Sequence, residues 1–241
     1  MSSIEVCLAP RLFKNYSVEN KIVVVVDILR ATTIITTMFH NGLAKLIPVK
    51  TLEEAKELKQ KGFLVAAERN GKKVDFADFD NSPYTFASEE IEGKTIVYST
   101  TNGTNTINLT KGADQVIIAS FLNLTAITKY LILQKKDVLI LCSGWYGDYC
   151  TEDALFAGAL AEKILEANIK SNFDSVNSCI ELWNNAKYNL SNYIKNIYQY
   201  QRLVSLGLEN VIDFCFKQDI SDVIPIFQND YIVDIKKIAQ I

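Results

Sequence analysis

The sequence predicts an α/β protein, a three-layer α/β/α arrangement around a mainly parallel sheet. Three observations predict it. Apolar runs recur along the chain, as in IVVVV at Ile22–Val26 and VLILC at Val138–Cys142. Stretches with helical periodicity separate these runs, and strands covered on both faces read as continuous rather than alternating apolar segments. The length of 241 residues, with 49% hydrophobic and 22% charged residues, suits one α/β domain over residues 1–241. A division into two lobes near residue 115 is compatible with the pattern.

The first strand, KIVVVV, ends at Asp27. A helix over Thr32–Asn41 follows, burying Ile34, Ile35, Met38 and Phe39, and Gly42 stops it. LIPVK (Leu46–Lys50) is the next strand. Thr51 then caps a helix, Glu54 completes a capping box, and Gly62 closes the helix. FLVAA leads a third strand to Glu68, and TIVY leads a fourth to Ser99. A short helix runs from Gly103 to Gly112, QVIIA leads to Ser120, and a further helix spans Leu124–Gln134. VLIL ends at Cys142, and Thr151 is the expected N-cap of a helix whose buried stripe is Leu155, Phe156, Ala159, Leu160, Ile164 and Leu165. From Asn172 onward the pattern is mainly helical, with a last short strand near Tyr231–Ile235.

The bulk numbers exclude several classes. A net charge of −3 with no basic block argues against a nucleic-acid partner held by counterion release. The amino terminus, MSSIEVCLAPRLFKN, lacks the basic segment and long apolar stretch of a secretory signal, and the apolar runs are too short to cross a bilayer. Five cysteines without CxxC spacing argue against a disulfide framework or structural zinc. A cytoplasmic protein with no membrane partner is expected, and a homo-oligomer is left open.

The polar clusters share one address. The strands end in DILRATT (Asp27–Thr33), ERNGKK (Glu68–Lys73), STTNGTN (Ser99–Asn105) and CSGWYGDYCTED (Cys142–Asp153). Ligands of open α/β sheets bind outside the carboxyl ends of the strands. Loops there are polar in any case, but four such clusters at one edge point to a site. Backbone amides and hydroxyls of Ser99, Thr100, Thr101, Asn102, Gly103 and Thr104 fit an oxyanion cradle, and equally a plain N-cap and turn. Glu152 and Asp153 either complement a helix dipole or offer hard oxygen ligands. Asp27, directly after an apolar strand, needs a partner, with Arg30 or a metal ion as candidates.

The chain has four arginines, and Arg30 and Arg69 stand in these loops beside Asp27 and Glu68. Such pairs are either ion pairs within a loop or forks for phosphate, carboxylate or sulfonate. The single histidine, His40, ends a helix and does not support a triad, and Cys142 has Asp148 rather than arginine six residues on. Clustered carboxylates without such partners favour Mg²⁺ over zinc or copper.

VVVVDILRATT, AERNGKK, FDNSP (Phe79–Pro83), STTNGT, and CSG followed by an ED dipeptide together resemble the 2-phosphosulfolactate phosphatase family. The similarity extends through LVSLGLENVIDFCFKQDISDVIP (Leu203–Pro225). It implies a compact α/β fold particular to that family, and Mg²⁺-dependent hydrolysis of 2-phosphosulfolactate, a small anionic phosphomonoester, in coenzyme M synthesis. Matching positions carry over Asp27, Arg30 and Glu68 as site residues, and their chemistry assigns them to catalysis. Asp27, Glu152 and Asp153 would be the metal ligands. Arg69, Asn81, Ser82 and Ser99 to Thr104 would bind substrate, with Arg69, Asn81 and Ser82 at its sulfonate end. One departure is that the family's GFDxGNSP reads FADFDNSP here, with Phe76 and Asp80 in place of glycines. The alternatives are a phosphatase for another small acidic phosphomonoester, or a non-catalytic binder of a small anion.

Overall fold

Ile22 to Val26 are all fully buried, because their strand lies inside a sheet covered on both faces. The computed structural model describes residues 3–86, 89–167 and 169–238. In chain order the elements are β1 (Ile4–Cys7), β2 (Lys21–Val26), α1 (Ala31–His40), β3 (Lys45–Pro48), α2 (Leu52–Gln60), β4 (Leu64–Arg69), β5 (Lys72–Lys73) and β6 (Thr95–Ser99). They continue with α3 (Gly103–Leu109), β7 (Gln115–Ala119), α4 (Leu124–Gln134), β8 (Asp137–Cys142), α5 (Thr151–Leu165), α6 (Asp174–Ala186) and α7 (Leu190–Tyr193). The last are α8 (Tyr198–Ser205), α9 (Glu209–Cys215), β9 (Pro225–Gln228), β10 (Tyr231–Asp234) and α10 (Ile235–Ile238).

Ten strands form one sheet in the order β1-β8-β2-β7-β9-β10-β3-β6-β4-β5. Neighbours are parallel within β1-β8-β2-β7 and within β3-β6-β4. The hairpin β9–β10 is inserted between these two halves and runs antiparallel to both. Residue 115, where the sequence allows a lobe division, opens β7, which is paired with β2 along its length.

The expected layering is present. On one face Val24, Val26, Ile140 and Cys142 pack with Leu155, Phe156 and Leu160 of α5, Cys179 and Trp183 of α6, and Leu203 of α8. On the other, Val23, Val25 and Leu139 share a core with Leu46, Ala66, Ile96 and Tyr98 from the second half of the sheet. Ile34, Ile35 and Met38 of α1 and Ile107 of α3 lie in that same core. In the sheet order six strand spacings separate β2 from β4, about 29 Å if the sheet were flat. A common core for the two halves therefore requires the sheet to twist and coil around α1.

That position explains why Ala31 to Phe39 are all buried. Threonines are tolerated there because their hydroxyls bond locally: Thr36 and Thr37 donate to the carbonyls of Thr32 and Thr33, each at 2.9 Å. The capping box of α2 forms, with Glu54 N donating to Thr51 Oγ1 and Thr51 N to Glu54 Oε2, both at 3.1 Å. Thr151 is the first residue of α5 rather than its cap, and Cys150 precedes it in extended conformation. The strands β1 (IEVC) and β9 (PIFQ) have no continuous apolar run. The first is an edge strand and the second lies in an antiparallel hairpin, so neither needs one.

Candidate active site

At the carboxyl edge of the sheet a small cleft is lined by Asp27, Leu29, Arg30, Ala31, Glu68, Gly71, Asn81, Thr100, Asn102, Trp145 and Arg202. The loops after β2, β4, β6 and β8 all reach it, and α8 adds the last residue. A larger cavity, about 590 Å³, lies by α4 and the 219–224 segment. Its charged lining residues His40, Lys129, Asp219, Asp222 and Lys236 are solvent-exposed. The chemistry therefore collects in the smaller space.

Asp27 is the first residue past β2. Its Oδ1 accepts from Ala31 N at 3.1 Å, and its own N–H donates to Thr32 Oγ1 at 3.0 Å. The start of α1 thus folds around the carboxylate. A Cβ at Gly103 would lie 2.3 Å from Ala31 Cβ and 2.8 Å from Asp27 Oδ2, so only glycine lets α3 begin so close. Burial raises the Asp27 pKa, and the Glu68 charge adds to the rise against the Ala31 amide and Arg30.

Glu152 and Asp153 open α5 and are buried. Burial raises both pKa values, and the charge of Asp27 raises each further; Glu152 also raises Asp153. Both oxygens of Asp153 are occupied: Oδ1 accepts from Ile28 N and Oδ2 from Gly144 N, each at 2.9 Å. Among the described residues, none of these three carboxylates forms an ion pair with a lysine or arginine.

The cations are also unpaired. Arg30 is 5% exposed and its nearest polar partner is the Gly71 carbonyl, at 3.4 Å. Arg202 stacks over the Trp145 ring, 4.1 Å from its centroid. Neither has a carboxylate within ion-pair range among the described residues. Arg69 does not line the cleft: it donates to Glu68 O at 2.6 Å, Ser99 Oγ at 2.9 Å and Lys50 O at 3.3 Å. Successive strand residues face opposite ways, so Glu68 and Arg69 at the end of β4 do not both face it.

The other expected residues divide between lining and support. Glu68 clamps two loops: Oε1 accepts from Thr101 N at 2.8 Å and Thr101 Oγ1 at 3.0 Å, while Oε2 accepts from Gly71 N at 2.6 Å. Thr100 N donates to Thr104 Oγ1 at 3.1 Å, and Thr104 N to Thr100 Oγ1 at 3.2 Å. The amides of Thr100, Thr101 and Thr104 are therefore spent inside the protein. Those of Asn102 and Gly103 have no protein acceptor among the described residues. Ser99, Thr101, Gly103 and Thr104 stand behind the lining residues Thr100 and Asn102. Asn81 lines the cleft, and Tyr98 Oη donates to its Oδ1. Ser82 does not line it; its amide donates to Asp80 Oδ1 at 3.0 Å. The extra carboxylate of Asp80 thus caps its own turn, and Asp78 pairs with Lys59.

Trp145, Gly71 and Arg202 went unassigned by sequence reasoning. Arg202 lies far along the chain in a helical region with no strand end to mark it. The signals available were that it is one of only four arginines and that it matches the resembled family before the glycine-containing segment at Leu203–Leu208.

A divalent cation fits the chemistry of the donor set, though not as a closed cage. Among the described residues no three His, Cys, Asp or Glu side chains stand together as a metal-holding group. Mg²⁺ is commonly held by one or two carboxylates, with waters and substrate phosphate oxygens completing its octahedron. Buried carboxylates that raise one another's pKa without a cationic partner suit such an open site.

Fold and cleft together define an α/β protein with a polar, charged site at the carboxyl edge of its sheet. The chain belongs to the 2-phosphosulpholactate phosphatase family, whose model matches residues 7–230. A probable 2-phosphosulfolactate phosphatase of Thermotoga maritima is 39% identical over 212 residues, covering 88% of this chain and 91% of the relative. Proteins with the same description from Clostridium perfringens strain 13 (36% over 232 residues, 94% of each chain) and Clostridium acetobutylicum (31% over 233 residues, 95% and 99%) are similar throughout. Among the described residues no helix is long and apolar enough to cross a membrane.

Proposed function

We propose that the chain hydrolyses 2-phosphosulfolactate to 3-sulfolactate and phosphate with Mg²⁺ as cofactor, a step of coenzyme M biosynthesis. Family membership and the relatives' descriptions support the reaction. The observation that carries the reading is the buried Arg30 lining the same cleft as the buried Asp27, each without an ion-pair partner among the described residues. A phosphomonoester bound with a divalent cation supplies both missing charges. Asp27 would hold the ion from the cleft wall, and Glu152 and Asp153, which do not line the cleft, would complete the expected carboxylate set behind it. Once bound, it would offset negative charge on the phosphoryl group.

The chain's own residues do the rest. Arg30 and the amide of Asn102 hold phosphoryl oxygens, and these fixed donors strengthen as charge develops in transfer. Asp27 orients the attacking water and accepts its proton. Glu68, through its three hydrogen bonds, keeps the loops after β4 and β6 in register around the phosphate. Asn81 presents its amide to the far end of the substrate. Phosphate release from 2-phosphosulfolactate tests the reading: it should stop with chelator and return with Mg²⁺. Undiminished release in excess chelator would remove the metal, and no release under any condition would remove the reaction.

A further inference from the structure

We infer that Arg202, carried on α8, is the specificity-determining arm that grips a second anionic group of the substrate, the place the sequence gives to Arg69. The inference rests on the phosphatase reading and deepens it. Four observations support it.

Arg69 is committed to Glu68 O, Ser99 Oγ and Lys50 O and stands outside the cleft. Arg202 is inside it, next to Arg30. A Cβ at Gly71 would lie 3.6 Å from Arg202 Nη1 and 3.8 Å from Arg30 Nη2, so both guanidinium groups flank the same glycine. Two like charges held so close, without a carboxylate in ion-pair range among the described residues, call for more than one negative charge from the ligand.

Arg202 is also held in place before anything binds. Its Nε donates to Gln199 Oε1 at 2.7 Å, its Nη1 to Asn70 O at 3.3 Å, and its plane lies 4.1 Å from the Trp145 ring centroid. Gln199 is 2% exposed, so the anchor itself is fixed. These contacts leave Nη2 for the ligand and remove most of the ordering cost of a long side chain. Finally, the geometry separates two jobs. Arg30 stands three residues after Asp27 in the loop leaving β2, whereas Arg202 reaches the same place from a helix remote in sequence. A substrate carrying phosphate and, a few bonds away, carboxylate or sulfonate can meet both guanidinium groups.

Two measurements on the full chain test the arm. The first compares kcat/KM for 2-phosphosulfolactate and for ethyl phosphate, which has no second anionic group. Arg202→Met should lower the former about tenfold to a hundredfold and the latter less than about threefold. Arg202→Lys, which keeps the charge and loses the fork, should fall between. The second titrates 3-sulfolactate, which has no phosphate, into the protein while following Trp145 emission in a Trp183→Phe background. Saturable quenching should appear and be lost in Arg202→Met. Equal losses on the two substrates, or sulfolactate binding unchanged in Arg202→Met, would overturn the arm. Sulfolactate binding that depends on Arg202, with neither substrate hydrolysed, would sustain the arm and overturn the reaction.

Discussion

Asp153 joins the exits of two neighbouring strands: its Oδ1 accepts from the Ile28 amide and its Oδ2 from the Gly144 amide, each at 2.9 Å. One carboxylate thus holds the loops after β2 and β8 together beneath Asp27. Asp153→Ala strands two buried N–H groups, each worth about 1–3 kcal/mol when left unpaired. Denaturant unfolding should show a loss of about 2–5 kcal/mol. A loss under about 1 kcal/mol would mean the loops are held by something else.

The carboxylate cluster sets a pH dependence with a definite sign. Folding raises Asp27 from 3.8 to about 6 and Glu152 from 4.5 to about 7. A raised acid favours the folded state in its protonated form, so this contribution is complete below the unfolded values, near pH 4, and is lost as pH rises through 6 to 7. Without divalent cations, Asp27→Asn should therefore be more stable than the parent at pH 8 and lose that advantage near pH 4. Added Mg²⁺ should raise the parent's Tm more at pH 8 than at pH 5, because the ion binds the ionised pair. A Mg²⁺ shift independent of pH, or equal in Asp27→Asn, contradicts this site for the ion.

Gly103→Ala tests the approach of α3 to Asp27. The added methyl meets Ala31 Cβ at 2.3 Å and Asp27 Oδ2 at 2.8 Å, so backbone has to move. Overpacking of this kind costs about 1–3 kcal/mol. Because Asp27 is among the atoms displaced, phosphatase turnover should fall by at least about a hundredfold. Full turnover in a folded Gly103→Ala protein would show that the position of Asp27 is not critical.

Tyr98→Phe tests the orientation of Asn81. The Tyr98 hydroxyl is fully buried, and burial drives its pKa well up, so it stays protonated and donates. Its acceptor is Asn81 Oδ1, which leaves the NH₂ group of that amide for the cleft. Without the hydroxyl the amide is free to flip and offer an oxygen to an anion. KM should rise about tenfold with kcat little changed. A variant that loses kcat at unchanged KM would place Tyr98 in another role.

Much of the fold was legible because its signals are local. Apolar runs marked β2, β6, β7 and β8, and the Thr51–Glu54 box marked the start of α2 to the residue. The edge strand β1 and the β9–β10 hairpin were harder, since half-covered or antiparallel strands carry no continuous run: β10 was anticipated, β1 and β9 were not. Within the cleft, Asp27, Arg30, Glu68, Thr100 and Asn102 were legible as strand-end polar residues, and Asn81 only through the family's NSP motif. The choice between Arg69 and Arg202 was not. It turns on which face of β4 a side chain takes and on where α8 docks, and both are set by packing across the coiled sheet.

The β9–β10 hairpin has a consequence for how the molecule comes into being. It occupies residues 225–234 near the end of the chain, yet it sits in the middle of the sheet, between β7 and β3. During synthesis both half-sheets are made before the piece that joins them. Until the hairpin emerges from the ribosome, β7 and β3 each present an open row of N–H and C=O groups, the kind of edge that recruits strands from other chains. Premature termination before Pro225 would leave those edges permanently open. The 225–234 segment acts as a seam, and a nascent chain is exposed to aggregation until that seam closes.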